Sequence, residues 1–258
     1  MVVAPASKNG ATARRDAAWL RASLAGVWLA TALTMFAPYY QEVGTGYLAR
    51  FGLPPWIMWA TNGGELAVAL WVLRGPMSRL LAALQIGAVL AFTILLAVIE
   101  PMLLVSPFGM LTKNIPFVAV VIAAYLLERE RWTARVERLL AIGMACIWIT
   151  EGLFPKLLFQ QSIELDMAPA AGLTFAPPWL LVGAVGVLQV ASGIAVLLLP
   201  RRPRAWLLFA QTAALLVLPL IVGFIAPYLW VHPFGPFSKN LPILTGTFLL
   251  YRRCSRSS

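Results

Sequence analysis

Long apolar runs broken by short polar connections set the pattern of this chain. Eight runs stand out, over Ala18–Ala37, Pro55–Leu73, Leu80–Ile99, Leu111–Leu127, Leu139–Leu157, Pro178–Leu199, Trp206–Ala226 and Phe237–Tyr251. A helix needs about 20 residues to cross a hydrocarbon core, and most of the runs approach that length. None alternates apolar and polar residues at the two-residue period of a barrel strand. Within lipid the backbone must satisfy its own hydrogen bonds, which leaves the helix as the option for each run. The pattern predicts an all-α polytopic membrane protein with eight transmembrane helices.

Composition agrees. Of the 258 residues 60% are hydrophobic and only 12% charged, about half the charge of a soluble domain. The net charge of +10 raises the question of nucleic acid, and its distribution answers it. With the N-terminus inside, 16 of the 20 Lys and Arg fall on the cytoplasmic side, and Arg50, Lys113, Lys156 and Lys239 fall outside. This is the positive-inside asymmetry. An even number of spans then puts both termini in the cytoplasm, and the expected partner of the basic surface is the lipid bilayer, with no nucleic-acid role. The first run lacks a small-x-small cleavage site and is expected to remain as a span. Residues 1–16 are expected to form a mobile polar tail.

The chain repeats itself. Pro101–Pro116 reads PMLLVSPFGMLTKNIP and Pro227–Pro242 reads PYLWVHPFGPFSKNLP, with nine of sixteen positions identical at an offset of 126. Gln85 and Gln211 share that offset. The shared motif comprises Pro107, Phe108, Gly109, Lys113 and Asn114 in the first copy and Pro233, Phe234, Gly235, Lys239 and Asn240 in the second. Upstream, Trp28 in WLATAL aligns with Trp148 in WITEGL. Four spans per half make the halves parallel repeats about an axis along the membrane normal, each expected to close as a four-helix bundle. The divisions are a cytoplasmic tail over 1–17, a first repeat over 18–131, a second over 132–251 and a cytoplasmic tail over 252–258.

Candidate chemistry is sparse. The two cysteines, Cys146 and Cys254, form no Cys-x-x-Cys pair, so neither a thiol relay nor a zinc site is supported. A single histidine, His232, argues against bis-histidine haem in one subunit. Ionisable groups at membrane depth are costly unless paired, so they are the residues to explain. Glu65 and Gln85 lie at similar depth on neighbouring helices, with Gln189 and Gln211 comparably placed in the second half. They make either a polar pair of helix packing or a proton or headgroup site. Lys113 and Lys239 precede short helices and are expected below the outer surface, either as snorkelling anchors or as part of a site. Equal depth on the first and last helices of one bundle predicts an ion pair between Glu151 and Lys239.

The second half resembles the DoxX-like family of small four-helix membrane proteins, through WITEGLFPKLL, APPWLL and HPFGPFSKNLP. The first half keeps SPFGMLTKN but has Thr31 and Phe36 where the second has Glu151 and Lys156. The resemblance implies a tandem DoxX-like protein with a diverged N-terminal copy, in the bacterial inner membrane. Members resemble subunits of thiosulfate:quinone oxidoreductase or occur beside oxidoreductases, which implies a redox-linked subunit and a soluble or membrane oxidoreductase as partner. On this reading Glu151, Lys156, His232, Lys239 and Asn240 bind a quinone-like or small anionic ligand in the outer half of the second repeat. No cofactor is evident from the residues; a quinone is the class that donors beside aromatic walls suit. A small-solute transporter and an anchoring or assembly protein without ligand are the alternatives, and no complete catalytic constellation is present.

Overall fold

A computed structural model describes residues 8–256. Among them the chain is all-helical, with ten α-helices and no strand. They are α1 (Lys8–Thr34), α2 (Pro38–Arg50), α3 (Trp56–Arg74), α4 (Arg79–Ile99), α5 (Asn114–Arg129), α6 (Ala134–Gly152), α7 (Ser162–Ala170), α8 (Pro178–Leu198), α9 (Arg201–Ile225) and α10 (Asn240–Ser255). The order repeats: a long helix, a short one, two long ones, a 3-10 turn and a 16-residue helix. Local chemistry sets several boundaries. The Ser78 hydroxyl caps α4 by accepting from Leu81 N–H, and Thr133 caps α6 by accepting from Val136 N–H, each satisfying an orphan donor of the first turn. The lysines that open α5 and α10 make no such side-chain cap.

Among the described residues four helices are long and apolar enough to cross a membrane, over Arg79–Ile99, Ala134–Leu158, Pro178–Leu198 and Arg201–Ile225. A fifth is added if α1 and α2, which meet at a 92° bend, count as one broken span. On α4, α8 and α9 large apolar side chains point outward, among them Ile94, Val98, Val187, Leu188, Leu220 and Phe224. Water would penalise such surfaces and lipid does not. Polar TNGG at Thr61–Gly64 lowers the hydropathy of α3. The helices α5 and α10 are short, 16 residues each, because the repeated phrase before them is wound as 3-10 turns instead of helix.

The core lies where the halves meet. α5 packs on both α1 and α6, and α10 on α9, α1, α6 and α5. Small residues let α6 approach α8: a Cβ on Gly152 would lie 2.5 Å from Gly186 O, and one on Gly193 would lie 2.8 Å from Ala145 O. Close approach through glycine is a common way to hold helices together in lipid.

The basic residues gather at one end. Arg21 pairs with Glu128 at 2.9 Å and donates to Gly75 O, while Arg252 and Trp132 both donate to Asp16. These contacts fix the starts of α1 and α6 beside the ends of α3, α5 and α10. The polar tail expected over 1–16 is helical from Lys8 onward, with Ala13 and Asp16 buried. Its first seven residues lie outside the described residues. Asp16 has two donors to satisfy it, which is why a stretch that is polar by composition packs as helix.

Candidate functional site

Both copies of the repeated phrase turn back into the protein at the end opposite the basic cluster. Gly109 and Gly235 adopt φ of +66° and +58°, a region that costs other residues strain. Phe108 shares it at φ +65°, an uncommon state for a bulky side chain. A Cβ on Gly109 would lie 2.6 Å from Lys113 Cγ, so the glycine also leaves room for the lysine to pass.

The lysines then cross between halves. Lys113 Nζ donates to Pro236 O at 2.6 Å, and Lys239 Nζ donates to Met110 O at 2.9 Å. All four residues obey the 126-residue offset, so the two bonds are counterparts. Each repeat's lysine is held by the other repeat's phrase.

Two cavities lie beside this crossing. The larger, about 440 Å³, is walled by α1 to α4 and the start of α5, and Pro233, Phe234 and Lys239 enter it from the second half. The smaller, about 310 Å³, is walled by α6 to α10, and Phe108 and Lys113 enter it from the first half. Both volumes fall at the lower end of the range for small-molecule sites.

The expected Glu151–Lys239 ion pair is absent. Glu151 is buried, and its Oε1 accepts from Thr112 Oγ1 at 2.9 Å. The cations facing it are Lys156 and Lys113. Lys239 instead lines the first-half cavity with Glu65, its nearest opposite charge, although no ion pair within 4.0 Å joins them. The cause is packing. A bundle closed on itself would aim Lys239 at α6, whereas α10 packs on both α1 and α6, and Leu241 of its first turn reaches Gly26 of α1.

The residues expected to form one site are therefore divided. Glu151, Lys156 and Asn240 line the second cavity. Lys239 lines the first, and His232 packs outside both, against Tyr39 and Phe234 at ring distances of 5.8 and 5.0 Å. Its Nδ1 accepts from Phe234 N–H at 3.2 Å. Glu65 and Gln85 do not pair either: Gln85 Oε1 accepts from Trp28 Nε1 at 3.0 Å, and its amide group donates to Leu81 O. In the second half Gln211 turns instead to Ser192 Oγ at 3.4 Å, and Trp148 Nε1 is buried with no partner. The indole–amide bond of the first half thus has no counterpart in the second.

Glu164 is the residue that apolar-run analysis misses. It sits on α7, a loop helix folded over the second cavity, and pairs with Lys156 at 2.6 Å while Lys156 also donates to Glu151 O at 3.2 Å. Winding of Leu153–Leu158 as π-helix, with its wider turn, brings Lys156 to this position. The sequence signal is limited to an acid on an amphipathic stretch, SIELDM, within a connection of polar appearance. With Lys113, Lys156, Glu151 and Glu164 the second cavity holds two cations and two acids. The first holds one of each, Lys239 and Glu65.

The acids are not repeat equivalents. Thr31 occupies the position of Glu151, and aligning PPW at Pro54–Trp56 with PPW at Pro177–Trp179 puts Leu188 at that of Glu65. A carboxyl group faces a crossing lysine in both halves, yet it comes from α6 in one and α3 in the other. Charge compensation of a buried lysine requires an acid there, and two helices supply it. Among the described residues no group of three or more His, Cys, Asp or Glu is gathered to hold a metal ion.

Comparison with known families finds the model described as DoxX-like family matching the chain twice, over residues 25–122 and 145–248. Comparison with curated proteins and with solved structures finds no match.

Proposed function

We infer that this chain, which belongs to the DoxX-like family and carries the family's unit twice in tandem, is a redox-linked membrane subunit that binds a quinone-like headgroup in the cavity of its second half. The observation that carries this function is Trp148 Nε1, a buried donor without a partner, on a residue that lines a largely apolar cavity. A quinone carbonyl is an acceptor, and a buried donor left unsatisfied costs about 1–3 kcal/mol, so a ligand acceptor relieves it. Lys113 stands on the same wall and supplies a second donor. Trp148, Phe108 and Phe237 give flat apolar surface for the ring. Two cations balanced by two acids favour a neutral headgroup over the small anion that Lys113 and Lys156 would suit in isolation. Electrons would come from a partner oxidoreductase, since the residues of the cavity offer no redox centre of their own.

In the bilayer this function implies eight spans arranged as two four-helix units, with α2 and α7 at the outer face and the basic end in the cytoplasm of the bacterial inner membrane. α5 and α10, about 24 Å each at 1.5 Å per residue, would be completed by the phrase that dips in before them. The supporting feature is the gathering of Arg21, Arg129 and Arg252 at one end and of both phrases at the other.

Organic extraction of the purified full-length protein tests the function. The extract should show quinone absorbance that bleaches on borohydride reduction, in excess of a Trp148→Phe preparation. Equal quinone in both preparations would mean that it travels with lipid and not with the cavity.

A further inference from the structure

We propose that the first-half cavity is a second, separate binding site, for an amphiphile whose polar end is a hydrogen-bond donor: a hydroxyl or phenol on a hydrocarbon body. It does not rest on the quinone function of the other cavity, and it follows from what each wall leaves unsatisfied.

The two cavities differ in what they leave open. The second has an orphan donor, Trp148 Nε1, beside orphan acceptors on Glu164, Gln189 and Asn240. In the first, the equivalent donor of Trp28 is already spent on Gln85 at 3.0 Å. On that wall two acceptors are left without donors. Glu65 Oε2 is buried without a partner, and so is Asn114 Oδ1, on a residue only 6% exposed. The Asn114 amide nitrogen donates to Thr93 Oγ1 at 2.7 Å, which turns the oxygen away from Thr93. Two acceptors therefore lack donors on residues that line a cavity of about 440 Å³ whose other walls are mostly apolar.

Satisfying buried polar atoms is close to obligatory in proteins, and the cation nearest Glu65 does not do it. Lys239 donates to Met110 O at 2.9 Å and stands more than 4.0 Å from the carboxyl group, so none of its donors reaches Glu65. It balances the charge and leaves the hydrogen-bond position open. A ligand hydroxyl satisfies that position without bringing a charge of its own. The hydrocarbon body is accommodated by Phe92, Leu95 and Phe117. A lipid tail would fill the same apolar walls and leave both acceptors unsatisfied, so the polar end distinguishes the two occupants.

The test uses the full-length protein in lipid nanodiscs, with 4-nonylphenol as probe and its methyl ether, which lacks the donor, as control. A photoactivatable alkylphenol should label peptides of α1, α3 and α4 in the unmodified chain. 4-Nonylphenol should suppress that labelling at least tenfold more effectively than the ether. Glu65→Leu should remove the difference between the two competitors, while Trp148→Phe should leave it intact. Equal competition by phenol and ether would overturn the proposal in favour of a lipid tail. Labelling confined to α8 and α9, or a preference lost on Trp148→Phe and kept in Glu65→Leu, would move the phenol to the other cavity. Because the labelling needs no variant, misfolding of Glu65→Leu leaves the proposal falsifiable.

Discussion

Lys113 of the first repeat donates a 2.6 Å hydrogen bond to the carbonyl of Pro236 in the second. Its counterpart, Lys239 to Met110, runs the other way. The chain writes the phrase twice because each copy holds the lysine of the other, and each delivers a phenylalanine and a lysine to a cavity in the opposite half. The two halves are thereby tied at the same place where both cavities have their charged ends.

That tie predicts a stability cost with a defined rescue. Lys239→Met removes the cation facing Glu65 and leaves a carboxyl group uncompensated at membrane depth. Because the two charges face each other without direct contact, the cost should fall below the about 3–5 kcal/mol of breaking a buried pair. Adding Glu65→Leu should restore most of the loss, measured by thermal or denaturant unfolding in detergent. A double variant less stable than the single would show that the two charges are independent.

The turn itself depends on Gly109. Its positive φ and the nearby Lys113 chain both oppose a Cβ, so Gly109→Ala should destabilise by at least about 1 kcal/mol. Gly63→Ala is the control. It lies in α3 with open space around it, and alanine there should be neutral or stabilising by up to about 1 kcal/mol.

Contact between α6 and α8 relies on Gly152 in a different way, since its φ is ordinary helix. The obstacle is backbone: a Cβ would meet Gly186 O at 2.5 Å. Gly152→Ala must push the helices apart and should cost about 1–3 kcal/mol as an overpacked site. Gly87→Ala, which faces open space on α4, should be neutral or stabilising by up to about 1 kcal/mol, as at Gly63.

Orientation is read by cysteine labelling. With Cys146 and Cys254 replaced by serine, Thr174→Cys and Arg131→Cys each present one exposed thiol. A membrane-impermeant maleimide should label the first in intact cells and the second only after lysis. The reverse result would invert the proposed topology.

Sequence alone made much of this legible. The phrase, its offset and the family were readable because a turn with left-handed glycines and a buried lysine tolerates few alternatives. The pairing of Glu151 with Lys239 was not, because depth along a helix is a one-dimensional quantity and says nothing of which side of α10 faces which half. The exchange of Thr31 for Glu151 marked the first copy as diverged, whereas its cavity keeps an acid through Glu65 on another helix. Glu164 escaped because α7 and the π-helical segment before it arise from tertiary packing that periodicity does not encode. Of the eight apolar runs, those of α5 and α10 include phrase residues that wind as turns, so their helices are shorter than the hydropathy implies.

Quinone binding in the second-half cavity is tested most directly by a titration of the full-length protein in nanodiscs with a short-tailed benzoquinone. Lys113 lines that cavity and Lys239 lines the other. Binding should be saturable, weaken at least tenfold in Lys113→Met and in Trp148→Phe, and stay within about threefold of the unmodified protein in Lys239→Met, on the scale of about 1.4 kcal/mol per tenfold. Absence of saturable binding, or a loss in Lys239→Met that Lys113→Met does not share, would contradict it.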